Sequence, residues 1–203
     1  MEKKVLILNY GMGNIFSVKN ALEYLGSEVI VSSNSSQISD FKYIILPGVG
    51  SFGKAMEKIK YLKMDEGIKD SVKKKNKILG ICLGFQLLCN SSTEGGDEKG
   101  LGLIEDDIIK MDNKFGKVPH VGFNSIKIKN DNDLLNGIKE GSDFYFNHSF
   151  FLKNKDQKFI SSTCSNNNDF VSSYSKDNIY GTQFHPEKSQ SNGLIILKNF
   201  LNN

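Results

Sequence analysis

Residues 77–88 read "KILGICLGFQLL". "KILGI" is a short continuous apolar run, as a strand buried on both faces requires, and 83–90 carries on as an apolar helix-like stretch. Gly80 and Gly84 stand two residues to either side of Cys82. G-x-C-x-G is the nucleophile-elbow pattern with sulfur in place of a serine oxygen, because a tight strand-to-helix turn leaves room only for small residues at those two positions. Such a turn sets residue 82 at the C-terminal edge of the sheet. The helix N-terminus behind it offers free N–H groups and a partial positive charge, which favour thiolate over thiol. The same cysteine also fits a buried structural role, the commoner fate of a free thiol. Cys89, inside the apolar face of the expected helix, and Cys164, ending a β-like run, read as core.

Upstream of the elbow the chain alternates. "KKVLILNY", "EVIVS" and "YIIL" read as strands at 3–10, 28–32 and 43–46. Between the first two lies a helix that Asn14 can cap, with Ile15, Val18, Ala21, Leu22 and Leu25 on one face and Gly26 at its end. Helix is expected over 52–75 with a break near Lys63. Downstream come short β-like runs, from "GLGLI" and "DIIKM" to "DFYFNHSF" and "IYGTQF", with Asn- and Lys-rich turns between them; "NGLIILKNFL" (192–201) closes as an amphipathic helix. The expected fold class is α/β, a mostly parallel central sheet flanked by helices, with antiparallel strands added to it. One domain over 1–203 is expected from the length.

Composition narrows the function classes. The chain has 38% hydrophobic and 24% charged residues, ordinary for a globular protein. No run approaches the ~18 apolar residues of a membrane span, and Met1-Glu2-Lys3-Lys4 leads straight into a strand, so the cytoplasm is the expected compartment and no membrane partner is expected. All 26 basic residues are lysine. Without arginine's bidentate fork, and with Lys73-Lys74-Lys75 reading as a solvated helix end, a nucleic-acid partner is not expected. The three cysteines form no CxxC and no even framework.

A thiolate needs a base. "TQFHPEKS" (182–189) offers His185 two residues before Glu187, after another strand. Histidine takes and returns protons near neutral pH, and a carboxylate fixes its tautomer and steadies the imidazolium. Cys82, His185 and Glu187 are therefore a candidate triad. His120 and His148 compete as bases but have no acid two or three residues away; substrate, interface or purely structural roles fit them.

"PGVGSFG" (47–53) matches G-x-G-x-x-G after a strand. A dinucleotide fingerprint should follow the first strand and be followed by a strand-ending acid at a fixed distance. This one follows the third strand, after a proline, with no such acid; the earlier "GMGNIF" has Phe16 where the third glycine belongs.

Taken together, "NYGMGNIFSVKNALEYLG", "LPGVGSFGKAM", "LGICLGFQLL", "KGLGLI", "VPHVGFN", "FYFNHSF" and "QFHPEKSQSNGLIILKNF" resemble the class I, triad-type glutamine amidotransferases. Within them the chain is most similar to the glutaminase subunits of imidazole glycerol phosphate synthase. The resemblance spans the whole chain and implies a flavodoxin-like α/β glutaminase fold. It implies L-glutamine as substrate: Cys82 attacks its side-chain amide, His185 held by Glu187 protonates the departing ammonia, and the thioester is hydrolysed to glutamate. It places Gln86, Glu94, His148, Ser149 and Phe150 at the substrate, and Val49, Gly50 and Leu83 at an oxyanion hole that is completed by a peptide rotation. It implies no cofactor and no metal. It also implies a heterodimer with a (β/α)8-barrel synthase that receives the ammonia through a channel and forms imidazole glycerol phosphate and AICAR in histidine biosynthesis, with Asn14, Phe123, Tyr145 and Lys188 at or near the interface. The family usually carries Trp where this chain has Phe123, and paralogous pairs supply ammonia for amidine formation on surface-polysaccharide sugars. A non-catalytic binding module, another amidotransferase branch and a nucleotide-binding oxidoreductase are the competing classes; "PGVG" in place of "PGPG", and Phe85 before Gln86, speak against the anthranilate-type branches.

Overall fold

The computed structural model describes residues 3–130, 132–153 and 157–202. In chain order the elements are β1 (Lys4–Leu8), α1 (Ile15–Tyr24), β2 (Glu28–Ser32), β3 (Tyr43–Gly48), α2 (Phe52–Tyr61), α3 (Met64–Lys73), β4 (Lys77–Cys82) and α4 (Leu83–Leu87). There follow β5 (Cys89–Ser92), β6 (Glu98–Lys99), β7 (Ile104–Lys110), β8 (His120–Ile128), β9 (Asp143–His148), β10 (Phe150–Leu152), β11 (Ile160–Asn166), β12 (Asn168–Lys176), β13 (Ile179–Thr182) and α5 (Gln190–Asn202).

A nine-stranded sheet runs β2-β1-β3-β4-β13-β12-β11-β8-β9. Its first five strands are parallel and the rest antiparallel. The parallel part has the flavodoxin-like order 2-1-3-4-5. Continuous apolar runs fit this position, since side chains leave each strand toward both faces. Leu6, Ile44 and Ile78 pack into one buried cluster, and Val5, Ile7, Ile45 and Leu79 into the other, on opposite faces.

One expectation holds and three change. The stretch 52–75 is helical with the expected break, two helices parted where Lys63 takes a left-handed conformation at φ 55°. The helix expected over 83–90 stops at Leu87, and Cys89 is not on a helix face but opens β5. The antiparallel additions do not all join the main sheet: β10-β7-β5-β6 make a second sheet, in which β5 and β7 run parallel. Of "GLGLI" only Ile104 is in a strand. The physical cause is common to the last three. The 87–104 segment is tied to itself, Leu101 N–H donating to the Leu87 carbonyl (2.9 Å) and Gly102 N–H to the Cys89 carbonyl (3.0 Å), and these bonds replace the next helical turn. Cys164 lies inside β11 and is fully buried.

Asn14 precedes α1 but makes no side-chain capping bond. Its amide is used elsewhere. Among the described residues no helix is long and apolar enough to cross a membrane.

Candidate active site

The elbow is built by steric exclusion. β4 ends at Cys82, which takes φ 53° and ψ −110°, and α4 begins at Leu83. A left-handed φ is costly for any residue but glycine, so the surrounding contacts must enforce it. They do: a Cβ on Gly84 would lie 1.8 Å from the Leu46 carbonyl oxygen, and one on Gly80 would lie 2.6 Å from Phe85 Cα. Helix and sheet thus touch backbone to backbone on both sides of the cysteine.

Cys82 is 5% exposed, yet its thiol is not sealed in hydrocarbon. It lines a cavity of about 340 Å³ with Val49, Gly50, Leu83, Gln86, Glu94, Pro119, Asn147, His148, Ser149, Phe150 and His185. The catalytic, oxyanion and substrate residues named from the sequence all border this space except Glu187, which stands behind His185. The sulfur lies 3.8 Å from the Asn147 carbonyl and 3.8 Å from Gln183 Nε2.

His185 follows β13 and hydrogen-bonds through Nδ1 to Glu187 Oε1 at 2.9 Å, both side chains being nearly inaccessible. Its backbone is anchored on both sides: its N–H donates to the Tyr145 carbonyl (2.9 Å), and its carbonyl accepts from Ser189 Oγ (2.7 Å). Burial pushes the imidazole down. Interaction with the Cys82 sulfur and the hydrogen bond to Glu187, with their negative charge, outweigh it and raise the pKa to about 10. The Asn14 amide donates to the same Glu187 oxygen at 3.3 Å, so the residue expected to cap α1 instead orients the acid. Glu187 Oε2 is buried and, among the described residues, has no hydrogen-bond partner.

On the far wall, Gln86 Nε2 donates to the Phe150 carbonyl (2.9 Å) and to Gln183 Oε1 (3.0 Å). His148 uses Nδ1 on the same Phe150 carbonyl (2.9 Å), and its Nε2 lies 3.2 Å from His120 Nδ1. Burial drives the His148 pKa down to about 3, the bond to Phe150 opposing and the charges of His120 and His185 adding to the fall. It is neutral, with its proton on Nδ1 because a carbonyl can only accept. Neither His148 nor His120 is placed as a base. They form a buried pair packed on Phe146 and Phe170 that fixes the 148–150 backbone. Glu94 accepts from the Phe52 N–H at 2.8 Å.

The loop after β3 forms the near wall. Tyr10 Oη donates to the Pro47 carbonyl (2.7 Å), and Val49 N–H donates to the Met12 carbonyl (3.3 Å). Burial, and then the charge of Cys82, keep the Tyr10 phenol protonated far above its ordinary range. Gly50 sits at φ 99°, a conformation that favours glycine. The Val49 N–H is therefore engaged away from the cavity.

Beside His185, Phe123 stands edge-on to Tyr145 (5.6 Å between centroids) and Lys188 Nζ lies 5.5 Å from the same Tyr145 ring. Phe123 is 53% exposed, Val121 56% and Val49 41%, the last of them lining the cavity.

A family model described as glutamine amidotransferase class-I matches residues 6–203. The chain belongs to this family. It is 44% identical over 200 residues to imidazole glycerol phosphate synthase subunit HisH 2 of Methanococcus maripaludis, covering 97% of this chain and 98% of the relative. Against subunit HisH 1 of Campylobacter jejuni it is 42% identical, with 97% and 98% covered. With subunit HisH of Aquifex aeolicus it shares 40% identity, with 97% and 95% covered. Among solved structures, PurLQS from Thermotoga maritima superposes with a TM-score of 0.78 at 21% identity, over 100% of this chain and 99% of that one. A structure described as glutamine amidotransferase gives 0.77 at 16% identity, with 97% of each covered. At those identities the superpositions establish the fold alone.

Within this amidotransferase, four cavity or support residues escaped the sequence reading: Tyr10, Asn147, Gln183 and Pro119. Only Gln183 carried a signal, its place two residues before the histidine in "TQFHPE".

Proposed function

We propose that the chain is the glutaminase subunit of an imidazole glycerol phosphate synthase, one amidotransferase domain that releases ammonia from L-glutamine for a synthase partner in histidine biosynthesis. The observation that carries the reading is the Cys82 sulfur on its enforced turn, at the edge of a polar cavity also lined by an imidazole that Glu187 holds.

The thiolate of Cys82 attacks the side-chain carbonyl carbon of glutamine. The carbonyl electrons move to oxygen, where Leu83 N–H and a donor of the Val49–Gly50 loop receive them. Since Val49 N–H is bonded to Met12 at rest, this hole is complete only when that peptide rotates. Collapse of the intermediate expels ammonia, which takes its proton from the His185 imidazolium. Water then attacks the thioester with His185 as base, releasing glutamate and restoring the thiolate–imidazolium pair. Glu94 suits the substrate α-ammonium group, and the 148–150 backbone suits its α-carboxylate.

The exposed Val49, Val121 and Phe123, with Tyr145 and Lys188 next to Phe123, are where a (β/α)8-barrel synthase docks and receives ammonia. Asn14 reaches Glu187 by a hydrogen bond of its own. The paralogous role in sugar amidination has the same triad, but the similar curated relatives bear the imidazole glycerol phosphate synthase name.

In the assembled complex, Cys82→Ala should lose glutamine hydrolysis by about 10⁴-fold or more while the synthase still runs on added ammonium. Retained hydrolysis overturns the reading.

A further inference from the structure

The hydrogen bonds behind the cavity have one consistent polarity. The Phe150 carbonyl can only accept, and it faces Gln86 Nε2 and His148 Nδ1, each at 2.9 Å. Gln86 must therefore present its amino group, and its second N–H goes to Gln183 Oε1 at 3.0 Å. Gln183, fully buried just after β13, is left with Nε2 toward the Cys82 sulfur, 3.8 Å away. Turning the Gln183 amide over would set two amino groups against each other and a carbonyl against the sulfur. Its backbone is held as well, the Gln183 N–H donating to the Ser172 carbonyl at 2.9 Å.

We propose that Gln183 is a further catalytic residue, whose side-chain N–H donates to the Cys82 sulfur and favours its ionised, nucleophilic form. The inference rests on Cys82 being the nucleophile, as proposed above. A donor aimed at the charged form stabilises that form. The need for one is local: the Asn147 carbonyl, also 3.8 Å from the sulfur, can accept from a thiol but repels a thiolate. Gln183 opposes that carbonyl without carrying a charge, so it leaves the proton inventory of the triad intact. The other titratable groups around the sulfur are His185 with Glu187 behind it, Tyr10 under the β3 loop, and His148 and Glu94 across the cavity. A substitution at 183 changes none of them.

The test is the pH dependence of Cys82 alkylation by iodoacetamide in the full-length protein, read by the mass of the peptide that contains it. Cys89 and Cys164 are fully buried and serve as unreactive internal references. Gln183→Met keeps length and packing but removes the donor. The midpoint of alkylation should rise by about one pH unit, and glutamine hydrolysis should fall up to about tenfold on the acid side of that midpoint, with the deficit narrowing as pH rises. A residue that merely fills space would leave the midpoint where it was, and an unchanged midpoint in a folded Gln183→Met protein overturns the proposal. A second measurement needs no variant: in the unsubstituted chain the Gln183 side-chain amide resonances should move with ionisation of Cys82. Their failure to move overturns the proposal equally. Either failure leaves the glutaminase reading standing, since that reading falls only if Cys82→Ala still hydrolyses glutamine.

Discussion

Two neighbouring loops frame the Cys82 sulfur, and they are held by opposite means. β3 and β4 lie side by side with Gly48 paired to Cys82, so the loop after each opens onto the same cavity. The loop after β4 is locked by contact: Gly84 sits against the Leu46 carbonyl and Gly80 against Phe85, with no space for a side chain at either. The loop after β3 is pinned only at its base, by Tyr10 on Pro47. Its tip is half exposed at Val49 and held by one 3.3 Å hydrogen bond to Met12. The difference separates two jobs. In the proposed mechanism a nucleophile has to be placed before the substrate arrives, while an oxyanion donor free to turn in later would keep glutamine from being spent without an acceptor.

The sharpest way to break this comparison is Gly84→Ala. A Cβ there meets backbone, which cannot yield, so the protein should lose about 4 kcal/mol or more and fail to accumulate in folded form. A denaturation midpoint equal to that of the unsubstituted chain would mean the elbow is not locked. The matching change on the other loop is Gly50→Ala. Its Cβ would meet only the flexible end of Met12, at 3.1 Å, and the cost is the backbone strain of alanine at φ 99°, about 1–3 kcal/mol. Glutamine hydrolysis in the complex should nonetheless fall about 10²-fold because the donor no longer turns freely. Equal losses of stability at the two glycines would erase the distinction.

The acid behind the histidine gives a smaller effect with a defined sign. His185 is raised to about 10, so the imidazolium proposed to protonate ammonia persists until the pH passes that value, and the alkaline limb of the rate profile should lie near pH 10. Glu187→Gln removes one of the groups that raise it, so the limb should move to lower pH, by about one unit. An upward move would contradict the arrangement. Smallest is Asn14→Ala, which releases Glu187 from one 3.3 Å bond. The complex should lose about three- to tenfold in glutamine hydrolysis, as expected for one hydrogen bond, with little change in melting temperature.

How much of this was legible in the sequence depends on the range over which each feature is encoded. G-x-C-x-G is a local steric requirement, and the parallel strands announce themselves because both faces are buried. The wrong extension of α4 to residue 90 has an equally plain cause: Leu87, Leu88 and Cys89 suit a helix face and a buried strand alike. What stopped the helix was pairing of Cys89 with Ile104 across the second sheet. Asn14 read as a cap because Asn before an apolar helical face commonly is one.

By itself, then, the sequence determined the nucleophile's turn, the parallel half of the sheet and the histidine–glutamate spacing, since neighbours in the chain dictate these through sterics and burial. Only the tertiary structure decided that Asn14 serves Glu187 across 173 positions, that Gln183 reaches Cys82 across 101, and that His120 and His148 neutralise one another's claim to be a base. Those are hydrogen bonds between buried polar groups far apart in the chain. Their polarity follows from which atoms can only accept, and that is settled once the strands bring them face to face.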